Sequence, residues 1–119
     1  MKEGLGKQGE NLAFRFLKEK GFKILERNYR APWGEIDIIA REKACLAFIE
    51  VKARKSILFG HPFEYVGEKK QKKILLTAQH YLTKMNWHSE EIRFDVVSIH
   101  LPEDGSPAHV ELIRNAFSE

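Results

Sequence analysis

Cysteine and long apolar runs are both nearly missing from this sequence. Cys45 is the single cysteine among 119 residues, so a disulfide framework within the chain is excluded. A chain of this kind suits a reducing compartment, and we expect it to be cytoplasmic. No apolar stretch approaches the ~20 residues that a membrane-spanning helix needs, and the first residues lack the apolar segment of a signal peptide. The sequence therefore predicts a protein that is neither exported nor inserted in a membrane.

A strong charge of either sign is also missing. The chain carries 20 Lys and Arg against 17 Asp and Glu, a formal charge of +3, and this mild basic excess is compatible with a polyanionic partner such as nucleic acid. With 43% hydrophobic residues in 119, the chain is long enough for one core and too short for two ordinary domains. Since no repeat or linker divides it, we predict a single domain over residues 1–119.

The apolar pattern predicts two helices and five strands. Residues 5–20 have helical spacing, with Gly21 as the C-cap. Three strands at 22–29, 35–41 and 45–53 follow as a β-meander. A Gly/Pro-bearing loop at 55–62 leads to a helix at 68–85, and strands at 92–101 and 109–114 flank a turn. The stripe predicted to be buried on the second helix is Ile74, Leu75, Ala78, Tyr81, Leu82 and Met85. The predicted order is αβββαββ, an α/β fold.

Two charged residues continue an apolar strand face. Because side chains alternate along a strand, Glu50 and Lys52 share a face with Leu46 and Phe48. An unpaired buried charge costs several kcal/mol, so something has to compensate this pair. From the residues alone, a structural ion pair and a catalytic site both remain open.

Two more carboxylates are predicted to face inward. Strand alternation puts Asp37 beside Glu35 and Ile39. On a helical wheel, Glu10 lies in the apolar row of the first helix. Adjacent strands are about 4.8 Å apart, so pairing of the second and third strands permits Asp37, Glu50 and Lys52 to form one cluster.

A divalent cation would compensate such a cluster. Mg²⁺ prefers oxygen ligands and usually binds one or two carboxylates together with waters and phosphate oxygens. Asp37 and Glu50 can provide the two carboxylates. In phosphodiester hydrolysis such a cation polarises the phosphate and lowers the pKa of a water, while Lys52 orients that water or neutralises developing charge. The residues are thus compatible with a metal-dependent hydrolase, although taken by themselves they favour a structural ion pair over catalysis.

The same residues carry a resemblance to a known group of enzymes. Asp37, followed by EVK at 50–52 on the next strand and preceded by helical Glu10, resembles the active-site pattern of PD-(D/E)XK nucleases. More narrowly, GEIDII at 34–39, FIEVKAR at 48–54 and RFDVV at 93–97 are similar to the YraN family of predicted endonucleases, which are related to archaeal Holliday-junction resolvases. Further matches are GE at 9–10, RNYR at 27–30, KQ at 70–71 and NAF at 115–117.

The resemblance implies a fold and a set of catalytic residues. The fold would be a restriction-endonuclease-like αβββαβ core, a central mixed sheet flanked by helices, with an extra C-terminal strand. Mg²⁺ or Mn²⁺ would be held by Asp37 and Glu50, with Glu10 and the Val51 carbonyl as further ligands. Lys52 would be the catalytic lysine, so that the catalytic set is Asp37, Glu50, Lys52 and Glu10.

The resemblance also implies a substrate. We expect a metal-dependent endonuclease that hydrolyses phosphodiester bonds in DNA, including branched or junction DNA. Lys73 stands where many relatives carry arginine. At this position we therefore expect a single ammonium charge to contact a phosphate, in place of the two hydrogen bonds that an arginine would donate. The residues expected to bind substrate are Lys70, Gln71, Arg54, Arg30 and Lys73. A homodimer formed through the strand at 109–114 is a further expectation, and the alternative function is a non-catalytic nucleic-acid-binding or scaffold module that keeps the nuclease fold.

Overall fold

Two helices and five strands follow one another in the described part of this computed structural model, which covers residues 4–55, 66–87 and 91–118. The predicted order αβββαββ is confirmed. From residue 56 onward, the loop predicted at 55–62 lies outside the described residues. The elements are α1 Leu5–Glu19, β1 Lys23–Ala31, β2 Gly34–Glu42, β3 Cys45–Lys55, α2 Glu68–Lys84, β4 Glu91–Leu101 and β5 His109–Phe117.

The strands form one mixed sheet in the order β1-β2-β3-β4-β5. Strands β3 and β4 run parallel, whereas the other three neighbouring pairs are antiparallel. A parallel pair requires a crossover connection, and α2 lies in that connection. The predicted α/β fold of restriction-endonuclease type is confirmed, with β5 as the extra C-terminal strand. In the described ranges, neither helix combines the length and apolarity needed to cross a bilayer.

The helices cover opposite faces of the sheet. Ala13 and Leu17 of α1 pack with Ile49 and other strand residues in one buried cluster. Ile74 and Tyr81 of α2 belong to a second cluster. These two clusters are called the α1 side and the α2 side below. The sheet therefore separates two apolar layers, as expected when both faces carry helices.

The buried stripe of α2 was predicted one residue too long. Ile74, Ala78 and Tyr81 are buried as expected, but Met85 is 48% exposed. The helix ends at Lys84, so Met85 has left the helical path that would have kept it on the stripe. Trp87, two residues further on, packs against the α2 side instead.

The end of α1 was predicted correctly from Gly21. This glycine has φ +96°, a left-handed conformation that costs glycine little. The N–H of Gly21 donates to the Lys18 carbonyl at 3.0 Å, and the N–H of Phe22 donates to the Leu17 carbonyl at 2.9 Å. This pair of bonds is a Schellman motif, and it turns the chain so that Phe22 is buried.

Strand β5 bulges near its end. Phe94 pairs with Phe117 and Val96 pairs with Ile113, so position 95 of β4 faces the three positions 114–116 of β5. Asn115 has φ +54°, and asparagine is one of the few residues that adopt this conformation readily. The bulge leaves backbone groups of β5 without ladder partners, and a side chain has to bind them.

Asp95 binds this bulge and is fully buried. Its carboxylate accepts the Asn115 N–H at 2.9 Å and the Arg93 Nε at 2.8 Å. Arg93 also donates to Glu42 at 2.7 Å, and Arg114 donates to the same carboxylate. Hydrogen bonds from Arg114 and Arg93 lower the pKa of Glu42 to about 2. Asp95 is thus a structural residue that ties β5 to β4, while Glu42 joins the network from β2.

We expect Asp95→Ala to destabilise the protein by about 2–4 kcal/mol, because the buried bulge N–H loses its acceptor and Arg93 keeps Glu42 but loses its second carboxylate partner. Urea unfolding followed by circular dichroism would measure this. Asp104→Ala is the matched control, since the exposed Asp104 carboxylate accepts hydrogen bonds from Ser106 within a local turn, and it should change stability by less than about 0.5 kcal/mol. Similar effects of both substitutions would refute the structural role.

Candidate metal centre

Strands β2 and β3 separate where the candidate site begins. Their pairing runs from Glu42↔Cys45 to Ile38↔Ile49 in the register, and no further pair follows in this part of the described chain. Beyond that point the Val51 N–H donates to the Oδ2 of Asp37 at 2.8 Å. A side-chain carboxylate therefore takes the place of the backbone acceptor that the next ladder position would have supplied.

The side chains of β2 do not alternate regularly on either side of Asp37. Strict alternation would put Ile36 and Ile38 on one face, but Ile36 packs on the α2 side and Ile38 on the α1 side. Ile39, expected opposite Ile36, is on the α2 side with it. The prediction that β2 alternates regularly through Asp37 was therefore wrong.

The same change of face occurs in the neighbouring strand β1. Arg27 reaches the α1 side, where it donates to Asn11 at 2.8 Å, whereas Tyr29 packs edge-on against Tyr81 on the α2 side. Between them Asn28 has φ +53°, which breaks the alternation. Since Arg27 pairs with Ile38 and Tyr29 pairs with Ile36, Asn28 stands opposite Asp37. The interruption at Asn28 in β1 therefore lies beside the interruption in β2.

Three carboxylates gather at this position. Oxygen atoms of Glu10, Glu35 and Asp37 lie within 4.8 Å of one another, and Glu50 is close enough for its charge to raise the pKa of Asp37. Burial and the charge of Glu50 raise the pKa of Asp37 to about 8, although the Val51 N–H acts in the opposite direction. The four groups form the acidic cluster. Of these, Glu10, Asp37 and Glu50 were predicted.

Glu35 was not predicted as a ligand. It was placed on the face of Asp37 but given no role, although GEID at 34–37 puts two carboxylates two positions apart on one strand. Residues at this spacing project to the same side of a regular strand. That spacing was the available signal in the sequence.

Glu10 reaches the cluster because Gly9 allows α1 to lie very close to β3. A Cβ built on Gly9 would be only 2.5 Å from the Cβ of Ala53 and 3.8 Å from a Val51 methyl. Any larger residue would push the helix away from the strand, since a backbone-bound methyl group cannot move aside. In the GE pair at 9–10, the glycine thus meets a packing requirement and the next residue contributes a carboxylate to the acidic cluster.

Glu50 is compensated by a cation from the other layer. Its side chain is 4% exposed, and its carboxylate forms an ion pair with the Lys70 ammonium. The prediction that Glu50 shares a face with Leu46 and Phe48 is consistent with this contact, because both apolar residues and Lys70 belong to the α2 side. An ion pair at a buried carboxylate offsets part of its desolvation cost.

Val51 and Lys52 follow Glu50 on the same strand. Lys52 is half-buried and stands opposite Ser98 of β4 in the register. Because the N–H and C=O of one strand residue leave on the same side, the Val51 carbonyl faces the same gap as the N–H that binds Asp37. Lys52 lies two positions from Glu50, roughly 6.6 Å along the strand.

The five residues predicted to bind substrate fall into two groups. Lys70 pairs with Glu50, and the Arg30 Nε pairs with Glu35 at 3.1 Å, so both contact the acidic cluster. The Gln71 side chain donates to the Val66 carbonyl at 2.6 Å. Arg54 and Lys73 are exposed. Substrate contacts by these five residues remain a prediction.

We expect Gly9→Ala to destabilise the protein by about 1–3 kcal/mol, because the new methyl would overlap Ala53. Gly6→Ala is the matched control: Gly6 lies in the same helix with nothing within 4 Å of its built Cβ, so it should gain about 0.5–1 kcal/mol from helix propensity. Thermal unfolding of both variants measures the difference. Equal stabilisation by both would contradict the close packing of α1 on β3.

We expect Asp37→Asn to stabilise the metal-free protein at pH 8. The folded-state pKa of Asp37, about 8, lies above its ordinary value of 3.8. Between these values only the folded state keeps the proton, so the native protein loses stability as pH rises from about 4 to about 8. Asparagine does not titrate and still accepts the Val51 N–H, so the variant should be more stable at pH 8 by on the order of 1 kcal/mol or more.

Thermal unfolding in EDTA at pH 5 and pH 8 would check this expectation. The difference in Tm between the variant and the native protein should be small at pH 5 and several degrees at pH 8. Parallel pH profiles of the two proteins would contradict a raised Asp37 pKa.

Comparison with known proteins agrees with this geometry. The profile of the family described as "Uncharacterised protein family UPF0102" matches residues 9–99, a span that includes the whole acidic cluster. A UPF0102 protein of Desulfosudis oleivorans is 49% identical over 112 residues, 94% of this chain and 88% of the relative. One of Dictyoglomus turgidum is 44% identical over 113 residues, 95% and 96% of the two chains. One of Clostridioides difficile is 46% identical over 112 residues, 94% and 95% of the two chains.

The predicted resemblance to the YraN family is confirmed by these matches. They also support a nuclease-like role. The chain belongs to the UPF0102 family, the YraN-like family of the restriction-endonuclease-like superfamily.

Proposed function

We propose that this protein is a divalent-metal-dependent endonuclease that hydrolyses phosphodiester bonds in DNA. The observation that carries the proposal is the crowding of Glu10, Glu35, Asp37 and Glu50 at the gap between β2 and β3. Burial, together with repulsion from the nearby Glu50 carboxylate, raises the pKa of Asp37. Strongly perturbed carboxylates of this kind are concentrated at functional sites.

The donor set fits Mg²⁺ or Mn²⁺. Both are hard cations that prefer carboxylate and carbonyl oxygens, and Glu10, Glu35 and Asp37 offer such oxygens within 4.8 Å of one another. Asp37 and Glu50 are the principal proposed ligands of the cation, and Glu10 is a further ligand. The Val51 carbonyl faces the same gap and is also a proposed ligand. Glu35 is added to the predicted set because it belongs to the group of three.

The proposed chemistry divides between the cation and the chain. When bound, a divalent cation supplies positive charge against the phosphate and acidifies the attacking water. Asp37 and Glu50 fix the position of that charge, while the Lys52 ammonium orients the water or stabilises charge that develops on the phosphate. The Val51 N–H holds the Asp37 carboxylate in place, so that little reorganisation is needed during the reaction.

Basic side chains of the protein lie at the exposed side of the acidic cluster. Lys70 contacts Glu50, but about half of its side chain is exposed, and Arg30, paired with Glu35, is more exposed still. Each is therefore available to a phosphate while remaining beside a carboxylate. Arg54, Gln71 and Lys73 would extend the contacts along the DNA backbone, and affinity rises with each phosphate neutralised.

The test is cleavage of a panel of labelled linear and branched DNA substrates in Mg²⁺ or Mn²⁺. Native protein should cleave at least one substrate, and EDTA should abolish the activity. Glu50→Gln and Lys52→Ala should each lower kcat by about 100-fold or more, since each removes a group that acts on the reacting phosphate. Activity that survives either substitution would refute the proposed site.

A matched control and a binding measurement complete the test. Lys43→Ala removes an exposed lysine in the turn between β2 and β3 and should leave cleavage unchanged. Glu35→Gln should weaken Mn²⁺ binding measured by calorimetry. DNA binding with no cleavage and no Mn²⁺ binding would instead favour the non-catalytic binding module.

A further inference from the structure

A tryptophan lies exposed beside one flank of α2. Trp33, in the turn between β1 and β2, is 45% exposed, and Leu76 of α2 is 43% exposed. On a helical wheel, α2 presents positions 69, 73, 76, 80 and 84 as one stripe next to its buried stripe. We name the exposed tryptophan and this flank the Trp33 surface. It comprises Trp33, Lys69, Lys73, Leu76, His80 and Lys84.

Contacts join the turn to the helix flank. A Cβ built on Gly34 would be 3.5 Å from the Lys73 Cβ, so Lys73 leaves the helix directly against the turn. The rings of Trp33 and His80 lie 5.8 Å apart, edge to face. Leu76 is three positions from Lys73 and four from His80, and residues at these spacings are neighbours on a helix. The surface is therefore continuous.

Trp33 is supported from beneath although it is exposed. His80 Nδ1 and the Tyr29 hydroxyl form a 2.6 Å hydrogen bond, and Tyr29 packs at 5.2 Å against Tyr81 in the core. This chain of contacts restrains the indole without covering it. An aromatic ring whose orientation is already fixed before binding loses little conformational entropy when a flat ligand stacks on it.

The charge of the surface favours an anionic ligand. Lys69, Lys73 and Lys84 lie on one side of α2, all exposed, and Arg30 lies at the base of the turn with an 80% exposed side chain. An exposed aromatic residue among lysines is the combination by which proteins bind single-stranded nucleic acid: bases stack on the ring and phosphates contact the cations.

We infer that the Trp33 surface binds unpaired nucleotides that flank the phosphate cleaved at the acidic cluster. The inference rests on the proposed nuclease function, because Lys73, which lies against the turn, is three positions along α2 from Lys70, the residue that contacts Glu50 of that cluster. A base stacked on Trp33 would thus belong to a nucleotide close to the one bound at the metal centre. The ligand class is DNA with a single-stranded segment beside the cleaved bond, and fully paired DNA would leave Trp33 unused.

Binding is tested first, without metal, in the full chain carrying Trp87→Phe so that Trp33 is the single tryptophan. The probes are a fluorescein-labelled 12-nucleotide oligodeoxythymidine and a blunt duplex of about the same length, in EDTA at low salt. Unlabelled oligodeoxythymidine should change Trp33 emission. Trp33→Ala should weaken single-strand binding about 5- to 100-fold, Trp33→Phe should restore most of it, and duplex affinity should change less than about twofold.

Lys72→Ala is the matched control for Lys73→Ala, since Lys72 is exposed on the same helix, is about 100° from Lys73 around the helix axis and is not part of the Trp33 surface. Lys73→Ala should reduce the slope of log affinity against log salt by about 0.7 for the single strand, and Lys72→Ala should change it less. Unchanged Tm in each variant confirms that the fold is intact. Equal single-strand affinity of native protein and Trp33→Ala overturns the inference.

A cleavage assay in Mn²⁺ separates the inference from the proposed function. Native protein should prefer a duplex with a single-stranded flap over a blunt duplex, and Trp33→Ala should lose that preference. Cleavage with an unchanged flap preference in Trp33→Ala overturns the inference and leaves the nuclease function standing. Trp33-dependent binding with no cleavage of any substrate overturns the nuclease function and supports the Trp33 surface as a single-strand site.

Discussion

The hydrogen bond from the Val51 N–H to the Asp37 carboxylate is the contact on which the arrangement of the site depends. It occurs where β2 and β3 stop pairing, and it satisfies a backbone donor that would otherwise be left open. A carboxylate is thereby held between two strands of the sheet, with its charge directed into the gap between them. Ionisation of Asp37 is unfavourable in this buried position beside Glu50, and the pKa of Asp37 is raised accordingly.

Both helical layers meet at this gap. Glu10 reaches it from α1 because Gly9 permits the close approach to Ala53, and Lys70 reaches it from α2 to pair with Glu50. The conformation of Asn28 directs Arg27 to one layer and Tyr29 to the other. The site therefore depends on contacts spread over three strands and two helices, which keep like charges close together.

Much of this was predictable from the sequence, and the failures have physical reasons. The helices, the strands and the Gly21 cap follow from periodicity, because each buries one regular face. The contact between Asp37 and Glu50 follows from the pairing of neighbouring strands. A periodic pattern cannot reveal where the alternation of a strand is interrupted. Asn28 breaks the alternation of β1 opposite Asp37, and the regular alternation assumed for β2 fails at the same place. Glu35 was missed because its role depends on Glu10, which is distant along the chain.

The irregularities of β1 and β5 have a further consequence, because these two strands form the outer borders of the sheet. The register of β1 shifts between Ile24 and Glu26, and Asn28 interrupts it again; β5 carries the bulge bound by Asp95. A straight border is a template on which another chain can add a strand and begin to aggregate. Kinks at both borders protect an open sheet from such growth, and they direct any self-association toward side-chain surfaces rather than toward a continuous intermolecular sheet.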